Sequence, residues 1–445
     1  MIERLRLVPF PRPFTRTDEE PPRGHLLTLV VVVGLVSGLA GAAFVETLRG
    51  LTDLIGPSNW GRVGALVVLA VAGLVIGVLT RVLGNPGDVE LLVDNIHVSG
   101  GREDIRDLRS LIPVSIIGIS AGSAIGPEAP LVQTTGSIGS WIAHRYHLDR
   151  TDLRILTITG MAAGFTVLFG APLGSAIFAL EILHRRGLGY SEALVPAILG
   201  ALSGFAIYVT ITGLGLEPVW SFPAAHSLEV GDLGIGVLAG VGGAIVAAVF
   251  TYAARGFRSC FRRIPPIVRP LVGGIALGAL AFASPYALTY GEGQITHVLN
   301  TQLLIGTLVI AGLVKLTASS MIVSAGWRGG FIIPLFFMGV VFGSAAAQGL
   351  GIDRTVAMAA LMVACNVGVT KTVVGSTLVV AEMGGMPLLP PALVAGVVAL
   401  FLTSRVSMIE TQRDREGEIG DEIADEVEAG NGHRPPDTDG TRDLD

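Results

Sequence analysis

Of 445 residues, 51% are hydrophobic and only 15% are charged, with a formal net charge of −6, against about 25% charged residues in ordinary soluble domains. That balance excludes a soluble globular domain and a nucleic-acid binder; with 60 glycines it describes a polytopic membrane protein whose apolar segments pack closely through small residues. Two cysteines, Cys260 and Cys365, in unlike surroundings offer no disulfide framework or metal site, and without a CxxC, HExxH or Walker A pattern no cofactor is expected.

Residues 1–25 carry Arg4, Arg6, Arg12, Arg16 and Arg23 among prolines and read as a disordered cytoplasmic arm. Residues 26–45 form the first span. Ala40-Gly41-Ala42 imitates a signal cleavage site, but the acidic Asp18, Glu19 and Glu20 upstream and the many later spans argue against one. A second span, 63–80, closes at Arg81, and a turn-rich entry at 84–90 leads into a short helix ending near His97 and a polar segment with Arg102, Arg106 and Arg109. Further apolar stretches lie at 111–125, 130–143, 155–181, 193–213, 234–254, 270–290, 303–326, 331–349, 355–370 and 386–403. Several are shorter than the roughly 20 residues that cross a bilayer, as in transporters built from interrupted helices. The basic group Arg255, Arg258, Arg262, Arg263 and Arg269 marks a cytoplasmic loop, and residues 411–445 form an acidic, disordered tail.

The stretch 122–140 organises the whole. Glu128 sits between Pro127 and Pro130 in a glycine-rich break, and in a bilayer such a break survives only buried in protein or lining a polar cavity. The residues after Pro130 are uncharged as far as His144 and read as a helix, whose first-turn N–H groups and positive dipole end point back into the break. That is an anion site, and Glu128 is placed to compete for it.

The second half echoes the first. Gly126-Pro-Glu-Ala-Pro-Leu131, followed by Gly139-Ser140, has a counterpart 204 residues on in Gly330-Phe-Ile-Ile-Pro-Leu335, followed by Gly343-Ser344. Pro172-Leu-Gly-Ser…Glu181 is matched 201 residues on by Val373-Val-Gly-Ser…Glu382. Two such matches in one order indicate duplication, with a binding site between the halves; identities alone leave parallel and inverted halves both open.

Gly126-Pro-Glu-Ala-Pro130 resembles the GREGP signature of the CLC chloride channel and transporter family, and Gly330-Phe-Ile-Ile-Pro334 its GxFxP signature. Ala163-Gly164…Phe169-Gly-Ala-Pro-Leu…Glu181 and Glu382-Met383-Gly384 are similar to two further family motifs. The resemblance implies an all-α polytopic membrane fold of two inverted-topology repeats of short, tilted and broken helices, here 26–215 and 216–410, and a homodimer with one pore per subunit and both termini cytoplasmic. Glu128 then matches the gating glutamate, and Gly126, Pro127, Phe331, Ile332 and Ile333 are expected to bind the anion, with Ile332 in place of the family's phenylalanine. Pro86, followed by Gly87, replaces the pore serine, and Ile409 replaces the pore tyrosine, so two hydroxyls are lost from the anion site. At Ile182 proton-exchanging members carry a second glutamate.

The resulting expectation is transport of small inorganic anions, chloride foremost, through a channel-like path with weak proton coupling; a chloride/proton or fluoride/proton antiporter is the alternative. An intramembrane serine hydrolase built on Ser123 or Ser140 would need Lys371 as a base, and no dyad spacing supports it. Glu181 and Glu382 are expected to be structural, near an interface or internally hydrogen-bonded. Lys315, Arg328 and Lys371 are expected to be snorkelling anchors or sources of a positive field, and His97, His144 and His184 to be interfacial.

Overall fold

The structure, a computed structural model, describes residues 23–84, 86, 96, 105–184, 190–213, 219–223, 228–409 and 412. The expected helix ending near His97, Gly87, the N-terminal arm up to residue 22 and nearly all of the acidic tail lie outside the described residues. Among these there are fifteen α-helices and short 3-10 turns, with no β-sheet.

The first seven helices are α1 (Arg23–Ile55), α2 (Arg62–Leu83), α3 (Ile105–Ser120), α4 (Glu128–Arg145), α5 (Arg150–Phe169), α6 (Pro172–Glu181) and α7 (Leu194–Thr212). Then follow α8 (Val230–Phe261), α9 (Arg269–Ala283), α10 (Glu292–Asn300), α11 (Ile305–Ser324), α12 (Ile332–Leu350), α13 (Arg354–Thr370), α14 (Val373–Gly384) and α15 (Leu389–Leu402). Among the described residues, seven helices are long and apolar enough to cross a membrane. On α2 the exposed residues Val63, Val67, Val71, Leu74 and Val78 recur at helical spacing, an apolar stripe turned outward as lipid contact requires.

The expected single stretch 155–181 is two helices. Gly170 adopts the left-handed conformation (φ 64°) at the C-terminus of α5, and Pro172 then starts α6, the usual pairing of a glycine stop with a proline start. The second half repeats this break at Lys371 (φ 68°), between α13 and α14, 201 residues later. Helix starts repeat too: Asp149 accepts from the Asp152 N–H at the start of α5, and Asp353 accepts from the Val356 N–H at the start of α13, both at 2.8 Å. These side-chain caps satisfy donors that the helix itself cannot. Helix α10 was not foreseen, because nine residues with a polar start carry little hydrophobic signal.

Packing follows the duplication. Helices α4 and α5 pack together as α12 and α13 do, and α1 on α7 as α8 on α15. Small residues set the closest crossings. A Cβ on Gly139 would stand 2.6 Å from the Leu156 carbonyl carbon, and one on Gly343 2.6 Å from the Met358 Cα, so at both crossings only glycine permits the approach.

The two halves meet through equivalent residues. Gly126 and Gly330 exchange backbone hydrogen bonds in both directions, at 2.8 and 2.7 Å, as an isolated antiparallel bridge. Likewise Glu181 accepts from the N–H groups of Val374 and Gly375 at the start of α14, at 3.1 and 2.6 Å. Glu382 in turn accepts from the Gly174 N–H at the start of α6, at 2.9 Å. A residue that bonds its own counterpart both ways reflects a two-fold relation between the halves, the relation that inverted-topology repeats require.

Candidate anion site

Helix α4 begins at Glu128 itself, with Pro127 as its N-cap, two residues earlier than the sequence pattern suggested. A proline can start a helix because it fixes φ and gives up only an N–H that would lack a partner there. The carboxylate is buried and reaches across to the other half, where Oε1 accepts from the Ile333 N–H at the start of α12 at 2.5 Å. It therefore occupies one of the unpaired donors and the positive dipole end of that helix. Oε2 is buried and has no hydrogen-bond partner.

The glycine bridge makes this seat. A Cβ on Gly126 would lie 2.7 Å from the Glu128 carboxylate carbon, and one on Gly330 2.8 Å from it. The side chain thus rests on two residues without side chains, one from each half. Gly330 belongs to the quoted motif but was not singled out as a site residue; its 204-residue offset from Gly126 was the signal for it.

A chamber of about 20 Å³ adjoins the carboxylate, lined by Val132, Met161, Phe165, Ile182, Phe331 and Ile332 among others. That is room for about one water-sized particle. It brings Glu128, Ile182, Phe331 and Ile332 together, and Met161 and Phe165 enter without any local signal having marked them. Phe331 also lines a second, wider cavity of about 260 Å³ with Ile409, Met408, Trp327 and Gln133. Arg258, Arg269 and Arg328 line it as well. The Phe331 ring packs 6.0 Å from that of Phe250 on α8, which holds it between the two spaces. Pro86 is buried but is not among the residues lining either space.

Neither buried lysine snorkels. Lys315 is wholly buried and donates to the carbonyls of Leu288 and Thr289 at 2.9 and 2.6 Å, over the face of Phe337. Lys371 donates to the Gly368 carbonyl and to the carbonyl and hydroxyl of Thr403, at 2.7, 2.8 and 2.9 Å. It thereby ties together the C-termini of α13 and α15, where a cation suits the dipole, and it does not serve Ser123 or Ser140 as a base. Arg328 faces the wider cavity. His184 is buried beside Tyr190, with ring centroids 5.1 Å apart, and Gln412 donates to the Ile182 carbonyl at 2.8 Å.

Comparison with known proteins bears on this geometry. A family profile described as "Voltage gated chloride channel" matches residues 88–404. A chloride/fluoride channel protein of Pseudomonas syringae pv. tomato is 27% identical over 425 residues, covering 91% of this chain and 89% of its own length. The crystal structure of a CLC-type fluoride/proton antiporter superposes with a TM-score of 0.76 at 22% identity, covering 88% of this chain and 98% of that one. That of a slow cyanobacterial chloride/proton antiporter gives 0.75 at 18% identity, covering 93% and 100%. At such identities the structures establish likeness of fold.

Proposed function

The chain belongs to the voltage-gated chloride channel family, whose members transport anions, and from that membership we propose that it conducts small inorganic anions, chloride foremost, along a path gated by Glu128. The observation that carries this reading is the Glu128 carboxylate on the Ile333 N–H: a tethered anion held where a free one would bind. Protonating or displacing it vacates the seat, and a halide of the right size takes over the donor.

Coupling to protons is weak in this reading. Ile182 borders the same chamber as Glu128 and has no group that takes up a proton. Pro86 and Ile409 bring no hydroxyl to the path, so anion binding rests on backbone donors and helix dipoles and the preference for chloride is loose. The working unit is a homodimer with one path per subunit, both termini lying in the cytoplasm.

The test is efflux from proteoliposomes at ionophore-controlled voltage, comparing chloride, fluoride, nitrate and potassium, with external pH recorded under an outward chloride gradient. Anion release without potassium release and without sustained uphill proton movement is expected. The second reading, a fluoride/proton or chloride/proton antiporter, draws on the Pseudomonas relative described as a chloride/fluoride channel and on the fold shared with two antiporters. Uphill proton movement that vanishes in Glu128→Gln would establish it instead.

A further inference from the structure

Three arginines and one amide converge on the wider cavity. Arg258 comes from the end of α8, Arg269 from the start of α9, Arg328 from the segment before α12, and Gln133 from α4. Gln133 is only 2% exposed, and its Nε2 has no hydrogen-bond partner. A buried amide donor without a partner costs free energy unless something enters the cavity to accept from it. The three arginines that line the same cavity set the sign of that occupant as negative.

Size and donor geometry narrow its chemistry. The cavity, about 260 Å³, has room for several waters, whereas the chamber beyond Phe331, about 20 Å³, has room for about one. A bare halide in the wider space would touch few of its donors at once. Guanidinium forks match oxygen pairs on a polyatomic anion, which they bind two at a time. We propose that this cavity is a binding site for a phosphate-class oxyanion, distinct from the seat of Glu128, and that its occupant obstructs anion flux, because Phe331 and Ile409 border the same space. The binding half of this proposal stands whatever ion crosses the membrane; the obstruction half rests on the conduction reading above.

Two sources present that chemistry, free inorganic phosphate and an anionic lipid headgroup. Calorimetric titration of inorganic phosphate into the full chain, in maltoside micelles and again in phosphatidylglycerol nanodiscs, separates them. Saturable binding is expected in micelles, weakened at least tenfold in both Arg258→Gln and Gln133→Leu. Persistence of the binding in nanodiscs identifies free phosphate as the ligand, and its disappearance there identifies the headgroup. Arg258→Lys, which keeps the charge and loses the fork, is expected to weaken binding nearly as much as Arg258→Gln. No saturable binding to the unmodified chain in micelles overturns the proposal. So does binding that survives both variants and is lost in Glu128→Gln, since phosphate would then occupy the gate. Phosphate is also expected to slow chloride efflux from neutral-lipid proteoliposomes in the unmodified chain and to do so less in Arg258→Gln; efflux that ignores bound phosphate overturns the obstruction. Absence of any anion efflux would defeat the conduction reading and leave the calorimetric result standing.

Discussion

Gly330 lies against the side chain of Glu128, so that a Cβ at residue 330 would stand 2.8 Å both from the carboxylate carbon and from the Glu128 Cβ. Gly330 is not in the left-handed region, so its backbone accepts alanine and the clash falls on the glutamate side chain. Gly330→Ala is therefore expected to displace the carboxylate from the Ile333 N–H and raise anion flux at neutral pH. A hydrogen bond to a charged group is worth about 1.5–3 kcal/mol, which corresponds to about tenfold or more in occupancy. Chloride efflux from proteoliposomes measures the rise, and adding Glu128→Ala to Gly330→Ala is expected to raise it no further. Reduced flux in the single variant would contradict the seat.

Acidification is expected to increase flux. The ionised carboxylate holds the Ile333 N–H, and protonation removes the charge that holds it there. Flux in the unmodified chain therefore rises as pH falls, whereas Glu128→Gln, neutral at every pH, is expected to give a flat and elevated profile. Efflux between pH 4.5 and 8 in both proteins checks the sign; parallel profiles would remove Glu128 from the gate.

Glu181 and Glu382 are expected to matter for stability unequally. Glu181 is buried and accepts two backbone hydrogen bonds, and Glu382 is half-buried and accepts one at Gly174. Each buried donor left unpaired costs about 1–3 kcal/mol, so Glu181→Ala is expected to lower the thermal midpoint in detergent more than Glu382→Ala. Equal midpoints would mean that these contacts do not hold the halves together.

Lys315→Met leaves the Thr289 carbonyl without its lysine donor, at a cost of similar size, whereas the Leu288 carbonyl still accepts from the Gln294 side-chain amide at 3.0 Å. Thr289, a residue with φ 61°, loses one of its restraints, its N–H remaining bonded to the Gly122 carbonyl. The expected result is a lower thermal midpoint measured by the same scan. A midpoint unchanged from the unmodified chain would show that water replaces the ammonium.

What could be read from the sequence follows the range of the forces involved. Hydropathy marks α1 and α2 because their lipid faces are local patterns, and glycine and proline mark the break before α4. The offset of 204 residues links Gly126 to Gly330, and the same offset links the caps Asp149 and Asp353, a signal too short to stand out until the helix starts were seen. The wider cavity was not legible: Gln133, Arg258 and Arg328 come from three distant segments, and nothing local to any of them refers to the others. Arg258 and Arg269 read only as loop charges, and the lysines read as surface anchors because a long cationic side chain seldom enters a core without a carboxylate. Here carbonyl oxygens at helix ends and in the 288–289 turn do that work.

The reciprocal caps of α6 and α14 also bear on how the chain is made. Glu181 leaves the ribosome 194 residues before Gly375, an interval of roughly 10–40 s at ordinary rates of synthesis. Throughout it the carboxylate, and the bare start of α6 that awaits Glu382, have no partner in the emerging polypeptide. Lipid offers none, so these termini must wait in water or against the insertion machinery until the second half arrives. A chain stopped after its first half is thus a natural substrate for quality control.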